Sequence, residues 1–183
     1  MNGHTVIGEV LTRCKRIAGV DAVVCAVPRG DERLIAEASK YAAVYEGSEH
    51  DVLSRYVDAA EMYRADVVMR ITGDCPLISP ALCAAVLKAI EDADYCSNVC
   101  PRTFPKGMDC EVFTANLLRD ADENATGEDR EHVTPWMQQH AANKVNYLSP
   151  WQLDGRLTLD TEDDYKVICA AFGHEPYQHL RAA

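Results

Sequence analysis

The chain has 183 residues, 48% of them apolar and 26% charged, and a formal net charge of −11. That length suits one domain with a sizeable core, residues 1–183. The 29 acidic against 18 basic residues exclude the broad basic face that nucleic-acid binding needs. A small phosphate ligand is still compatible with acidic residues, because a bound cation can bring the two together. No apolar run reaches membrane-spanning length, and the opening Met-Asn-Gly-His-Thr is not a signal peptide, so a cytoplasmic protein without membrane contact is expected. The eight cysteines form no Cys-x-x-Cys pair. Cys14, Cys25, Cys83 and Cys169 sit in apolar contexts and read as reduced core thiols, while His174 and His179 have no ligand partners nearby in sequence.

In chain order, Thr5 caps a helix whose apolar face is Val6, Ile7, Val10, Leu11, Cys14 and Ile17, ended by Gly19. A buried strand over 22–27 follows, then the turn Pro28-Arg29-Gly30 and a helix capped by Asp31. Val44 and Tyr45 make a short strand. Ser48 to Asp51 reads as a capping box for a helix lined by Val52, Leu53, Tyr56, Val57, Ala60 and Tyr63. The run 67–71 is a strand, Ser79-Pro80 starts a helix with Leu82, Val86, Leu87 and Ile90 inside, and 95–99 is another strand. This alternation implies an α/β fold built on a mainly parallel sheet.

The pattern changes at Pro101, Pro105 and Gly107. Residues 108–113 alternate apolar with acidic, which reads as an edge strand carrying Asp109 and Glu111 on one face, roughly 7 Å apart. A solvated edge would show the same pattern. The strand is also a candidate dimer contact, since an open edge tends to find a partner. Thr126 to Asp129 offers a cap, Thr134-Pro135 restarts a helix, 144–148 is a strand and 156–159 a last short one. Thr161 caps a closing helix with Tyr165, Ile168, Cys169 and Phe172 inward and Gly173 after it.

Two carboxylates stand out. Asp74 follows the apolar run 67–71 through Thr72-Gly73, and Asp160 repeats the arrangement after 156–159. In open α/β sheets ligands bind at the carboxyl ends of strands. Two acids there could hold a hard divalent cation, completed by phosphate oxygens and water. The bland alternatives are an Asx turn at Asp74 and a helix cap at Asp160. Arg70, Arg102, Lys106, Arg130 and Arg156 are possible anion partners, each more often a surface charge. The G-x-x-x-x-G-K-[ST] and G-x-G-x-x-G phosphate motifs are missing, as are nucleophile-elbow and zinc-protease patterns.

Five stretches occur in order: Gly47-Ser-Glu-His-Asp-Val-Leu-Ser-Arg-Tyr56, Arg70-Ile-Thr-Gly-Asp-Cys-Pro-Leu-Ile78, Phe104-Pro-Lys-Gly-Met-Asp-Cys-Glu-Val-Phe113, Asp129-Arg-Glu-His-Val-Thr-Pro135 and Arg156-Leu-Thr-Leu-Asp-Thr161. Together they resemble the cytidylyltransferase family of spore coat polysaccharide biosynthesis protein F, akin to the acylneuraminate and 3-deoxy-manno-octulosonate cytidylyltransferases. The resemblance implies a three-layer nucleotide-diphospho-sugar transferase fold. It further implies Mg²⁺, and transfer of a cytidylyl group from CTP to a sugar acid with release of pyrophosphate, for a surface polysaccharide. It assigns Asp74 and Asp160 as metal carboxylates. Asp109 and Glu111 would face the sugar, Arg130 and His132 would lie near the same pocket, and Arg70 and Arg55 would contact substrate. A homodimer is expected.

Family members open with a strand and a Gly/Ser/Arg-rich loop ending in Lys, whereas this chain aligns from just beyond it. The resemblance therefore implies a truncated N-terminus, open edges on the strands near 22–27 and 67–71 with a tendency to self-associate, and little turnover from residues 1–183 alone. Two rivals remain: a glycosyltransferase using a nucleotide-sugar donor, and a non-catalytic homologue that binds nucleotide or a protein partner.

Overall fold

The computed structural model describes residues 3–172. Helix α1 (Val6–Cys14) begins where the Thr5 hydroxyl accepts the Gly8 N–H at 3.2 Å. Strands β1 (Val24–Pro28) and β2 (Ala43–Gly47) pair in parallel, joined by α2 (Glu32–Ala38) under an Asp31 cap. Helix α3 (Val52–Tyr63) is capped by Asp51, which accepts the Ser54 N–H. Ser48, expected as the cap, accepts the Asp51 N–H one step earlier.

A four-stranded sheet holds the rest of the strands, in the order β3 (Val67–Arg70), β5 (Glu111–Thr114), β4 (Tyr95–Ser97), β6 (Lys144–Asn146). Here the edge-strand expectation is corrected. β5 lies in the middle, antiparallel to both β3 and β4, so the sheet is mixed and this segment has no open edge to offer a second copy. The apolar–acidic alternation suggested solvent on one face, but Glu111 is only 4% exposed because other elements supply its partners.

Alternate residues of the central strands feed two cores. Cys96 and Val112 pack with α1 and α4 (Pro80–Ala89) through Val10, Cys14, Leu82 and Val86. Tyr95 and Phe113 pack on the other face with Leu53 and Val57 of α3 and with Leu117 and Met137. That is a helix–sheet–helix sandwich, the layering that period-2 alternation dictates for a doubly covered sheet.

Leu117 and Leu118 belong to α5 (Ala115–Asn124), a helix not anticipated from sequence. Thr114 caps it, and Ala115, Leu117, Leu118 and Ala121 are buried. Short helices α6 (Glu128–His132) and α7 (Pro135–His140) follow, then α8 (Glu162–Ala171) behind a Thr161–Asp164 capping box. The expected strand over 156–159 is not a ladder strand. Apart from one bridge at Lys106–Arg156 its backbone bonds to loops, with Leu157 N–H to Lys106 C=O at 2.7 Å. Cys14, Cys75, Cys83, Cys96 and Cys110 are buried free thiols, and burial pushes Cys14 and Cys75 up to about 12. Cys169 is corrected: it lies on the outer face of α8, exposed. Gly173, His174 and His179 lie outside the described residues.

β1 and β3 do not pair with each other. Each keeps one edge without a strand partner among the described residues, and a cavity of 1230 Å³ lies between them, lined also by α1 and α3. The open side explains why both strands are half-buried at most positions, whereas β4 is buried throughout.

Candidate active site

β3 delivers the chain to Thr72-Gly73-Asp74 at the edge of the sheet. The Thr72 hydroxyl donates to Oδ1 of Asp74 and fixes that carboxylate next to its own turn. The Asp74 carbonyl accepts the Leu159 N–H at 2.9 Å, which lays the 157–160 segment alongside the turn and brings Asp160 to it. Two further contacts hold that segment. Gly107, at φ +93°, approaches so closely that a Cβ would meet the Leu157 carbonyl carbon at 2.5 Å. The Asp164 carboxylate accepts the backbone N–H of Asp160 and Thr161 at 3.1 and 2.9 Å. The Thr161 hydroxyl, which donates to the same carboxylate at 2.9 Å, followed by the Asp160 N–H, holds the Asp164 carboxyl below the usual carboxylate range.

Asp160 itself is exposed. It pairs with Arg156 and accepts from the Thr158 hydroxyl at 3.2 Å. Asp74 and Asp160 are thus two carboxylates on one backbone junction. Among the described residues no group of three or more His, Cys, Asp or Glu side chains could hold a metal. The donor set fits a hard cation that takes most of its shell from water and phosphate, and not a soft or structural metal. Asp160's exposure leaves it able to exchange Arg156 for such an ion.

The other candidates separate into three kinds. Asp109 lies on the Asp74 side, close enough for its charge to bear on the Cys75 thiol. It is held by a two-pronged Arg102 pair at 2.5 and 2.8 Å and is about a third exposed. Glu111 is enclosed. It accepts from Arg70 at 2.9 Å, the Tyr95 hydroxyl at 2.5 Å, Thr134 at 3.0 Å and Gln138 at 2.8 Å. Burial, followed by the Glu111 charge, pushes the Tyr95 phenol far above its ordinary range.

Arg130 spans three elements: it donates to Asp51 at 2.8 Å, to the Asp122 carboxylate at 2.6 Å and to the Asp122 and Ala125 carbonyls. Its donors are turned inward on the protein, while His132 is exposed at the end of α6. Arg55 is 8% exposed and donates to the Ser48 carbonyl at 2.8 Å, in space that Gly47 leaves by having no side chain. Arg55 and Arg70 both line the cavity between β1 and β3, and the buried Nε of each has no partner among the described residues. Thr72, Gly107 and the Tyr95–Thr134–Gln138 set were not assigned roles from sequence, and Arg102, named there as a possible anion partner, is paired with the Asp109 carboxylate. Thr72 and Gly107 stood in motifs, but what they touch is remote in the chain.

The chain matches the Cytidylyltransferase family over residues 1–171. It belongs to the cytidylyltransferase family. An uncharacterized protein of Methanocaldococcus jannaschii is 34% identical over 178 residues, 91% of this chain and 72% of that protein. The spore coat polysaccharide biosynthesis protein SpsF of Bacillus subtilis is 36% identical over 138 residues, 70% of this chain and 56% of its own length. A cytidylyltransferase structure from Leptospira borgpetersenii superposes with a TM-score of 0.87 at 29% identity, covering 93% of this chain and 76% of that one. The α/β nucleotidyltransferase fold expected from sequence is therefore present, with a mixed sheet.

Proposed function

We propose that the protein is an Mg²⁺-dependent cytidylyltransferase that moves a cytidylyl group from CTP to a hydroxyl of a sugar acid, releasing pyrophosphate, in the making of a surface polysaccharide. The observation that carries this reading is the junction of Asp74 and Asp160 at the exit of β3, in a chain of the cytidylyltransferase family. Bound there, Mg²⁺ would offset triphosphate charge and favour loss of pyrophosphate. Asp74 and Asp160 would hold it, Thr72 keeping Asp74 in place and the Asp164 cap fixing the backbone of Asp160. Asp109, on the same side, would meet the sugar, with Arg102 setting its orientation. Glu111 would act through Arg70, holding its guanidinium at the end of β3. Positioning and charge stabilisation supply most of the rate in such transfers.

Nucleotide preference tests the reading without requiring turnover. Saturation-transfer NMR, which detects weak, rapidly exchanging ligands, is expected to show Mg²⁺-dependent contact with CTP and far less with ATP or UTP. Equal contact with all three would leave a general phosphate site and remove the cytidylyl assignment. A preference for a nucleotide sugar over CTP would favour a glycosyltransferase.

A further inference from the structure

Both acids of the junction carry the same local device. Thr72 stands two residues before Asp74 and donates its hydroxyl to Oδ1 of that carboxylate. Thr158 stands two residues before Asp160 and donates to Oδ2 at 3.2 Å. The first contact is held from behind. A hydroxyl has one hydrogen, and the Asp74 carboxylate, an acceptor only, takes it, so the Cys75 thiol 3.1 Å away is the donor to the Thr72 oxygen. Cys75 is buried, and its N–H closes the turn on the Thr72 carbonyl at 3.3 Å, which keeps the three side chains together. At Asp160 the Arg156 guanidinium shares Oδ2 with Thr158. Every one of these bonds therefore falls on a single oxygen of each carboxylate. Among the described residues no hydrogen bond reaches Oδ2 of Asp74 or Oδ1 of Asp160.

We propose that Thr72 and Thr158 set the cation specificity of this site: each occupies one carboxylate oxygen, so Asp74 and Asp160 act as single-oxygen donors that favour Mg²⁺ or Mn²⁺ over Ca²⁺. Outer partners of this kind fix how a ligating carboxylate is presented. Ca²⁺ takes more oxygens, often both of one carboxylate, whereas Mg²⁺ demands a tight octahedron and fills most of it with water and phosphate oxygens. Release of Arg156 from Asp160 leaves Thr158 on Oδ2, so the restriction survives that exchange. The inference rests on the reading of Asp74 and Asp160 as the cation ligands and extends it to two positioning residues that touch no cation themselves.

The experiment is electron paramagnetic resonance of protein-bound Mn²⁺ with excess CTP, reading the Mg²⁺ and the Ca²⁺ concentrations that displace half of it. Wild type, Thr72→Val, Thr158→Val and Thr72→Ser are compared, so the preference of the nucleotide itself cancels. Valine keeps the shape of threonine and removes the donor. Alanine replaces it at any position where the far-ultraviolet spectrum departs from wild type. The ratio of the Ca²⁺ to the Mg²⁺ concentration is expected to fall by about fivefold or more in each valine variant and to stay at the wild-type value in Thr72→Ser. An unchanged ratio, or a change in one valine variant alone, overturns the proposal. Loss of all Mn²⁺ binding in the valine variants overturns it too, since the hydroxyls would then hold the carboxylates in place without selecting the ion. Asp74→Asn separates the two claims. Mn²⁺ binding absent from wild type, or equal in Asp74→Asn, removes the metal reading and this inference with it. Binding lost in Asp74→Asn beside a wild-type ratio in the valine variants removes the inference alone.

Discussion

Asp74 was legible as a candidate because a buried strand, a turn and a carboxylate are contiguous in sequence. Asp160 was legible because a short apolar run also precedes it in sequence, although 156–159 does not form a ladder strand. What sequence does not carry is the Leu159–Asp74 backbone bond that joins them across 85 positions. Glu111 makes the same point more sharply. Its four donors are 41, 16, 23 and 27 residues away, so nothing local distinguishes it from an acid on a wet strand face. Removing one partner of a buried, fully bonded charge leaves the others unpaired. Glu111→Ala is therefore expected to cost about 3–5 kcal/mol in urea unfolding, with Glu111→Gln retaining part of that stability. If instead Glu111→Ala unfolds like wild type, the carboxylate is not the hub of this network.

At the scale of elements, helix caps were well marked: Thr5, Asp31, Ser79 and Thr161 each accept the backbone bond expected of them. Helix α5 carried a usable signal at 115, 118 and 121, masked by its charged remainder and by the strand that runs directly into it. Arg130 ties α6 to the start of α3 and the end of α5, a long-range role that residue type alone does not disclose. Its side chain is a quarter exposed, so each ion pair is worth at most about 1 kcal/mol. With its carbonyl bonds added, Arg130→Ala is expected to destabilise by about 1–2 kcal/mol in chemical unfolding.

Burial opposes ionisation of Asp51, but the Ser54 N–H and Arg130 outweigh it and leave its carboxyl below 3.8. A carboxyl depressed on folding contributes stability above its unfolded value, and loses it as pH falls through the lower folded one. Asp51→Asn should therefore flatten the acid limb of the stability profile below about pH 4, and an unchanged limb would contradict this. Gly107 also belongs at this scale. Gly107→Ala must push the 157–160 segment away, so it is expected to weaken divalent-ion binding several-fold while the far-ultraviolet spectrum stays unchanged.

At the scale of the whole molecule, helix–strand alternation through residue 99 made the α/β class readable. The mixed sheet was not readable, because β5 enters between β3 and β4 from a point beyond the proline-rich break, and strand order is set by that long-range return. Among the described residues no helix is long and apolar enough to cross a membrane. The central proposal is that Asp74 and Asp160 jointly hold the cation that CTP brings. Electron paramagnetic resonance of Mn²⁺, titrated into the protein with and without CTP, tests it directly. CTP should strengthen Mn²⁺ binding to the wild-type chain, and Asp74→Asn and Asp160→Asn should each abolish that gain while the fold persists. Equal CTP-dependent Mn²⁺ binding by all three proteins would contradict the account.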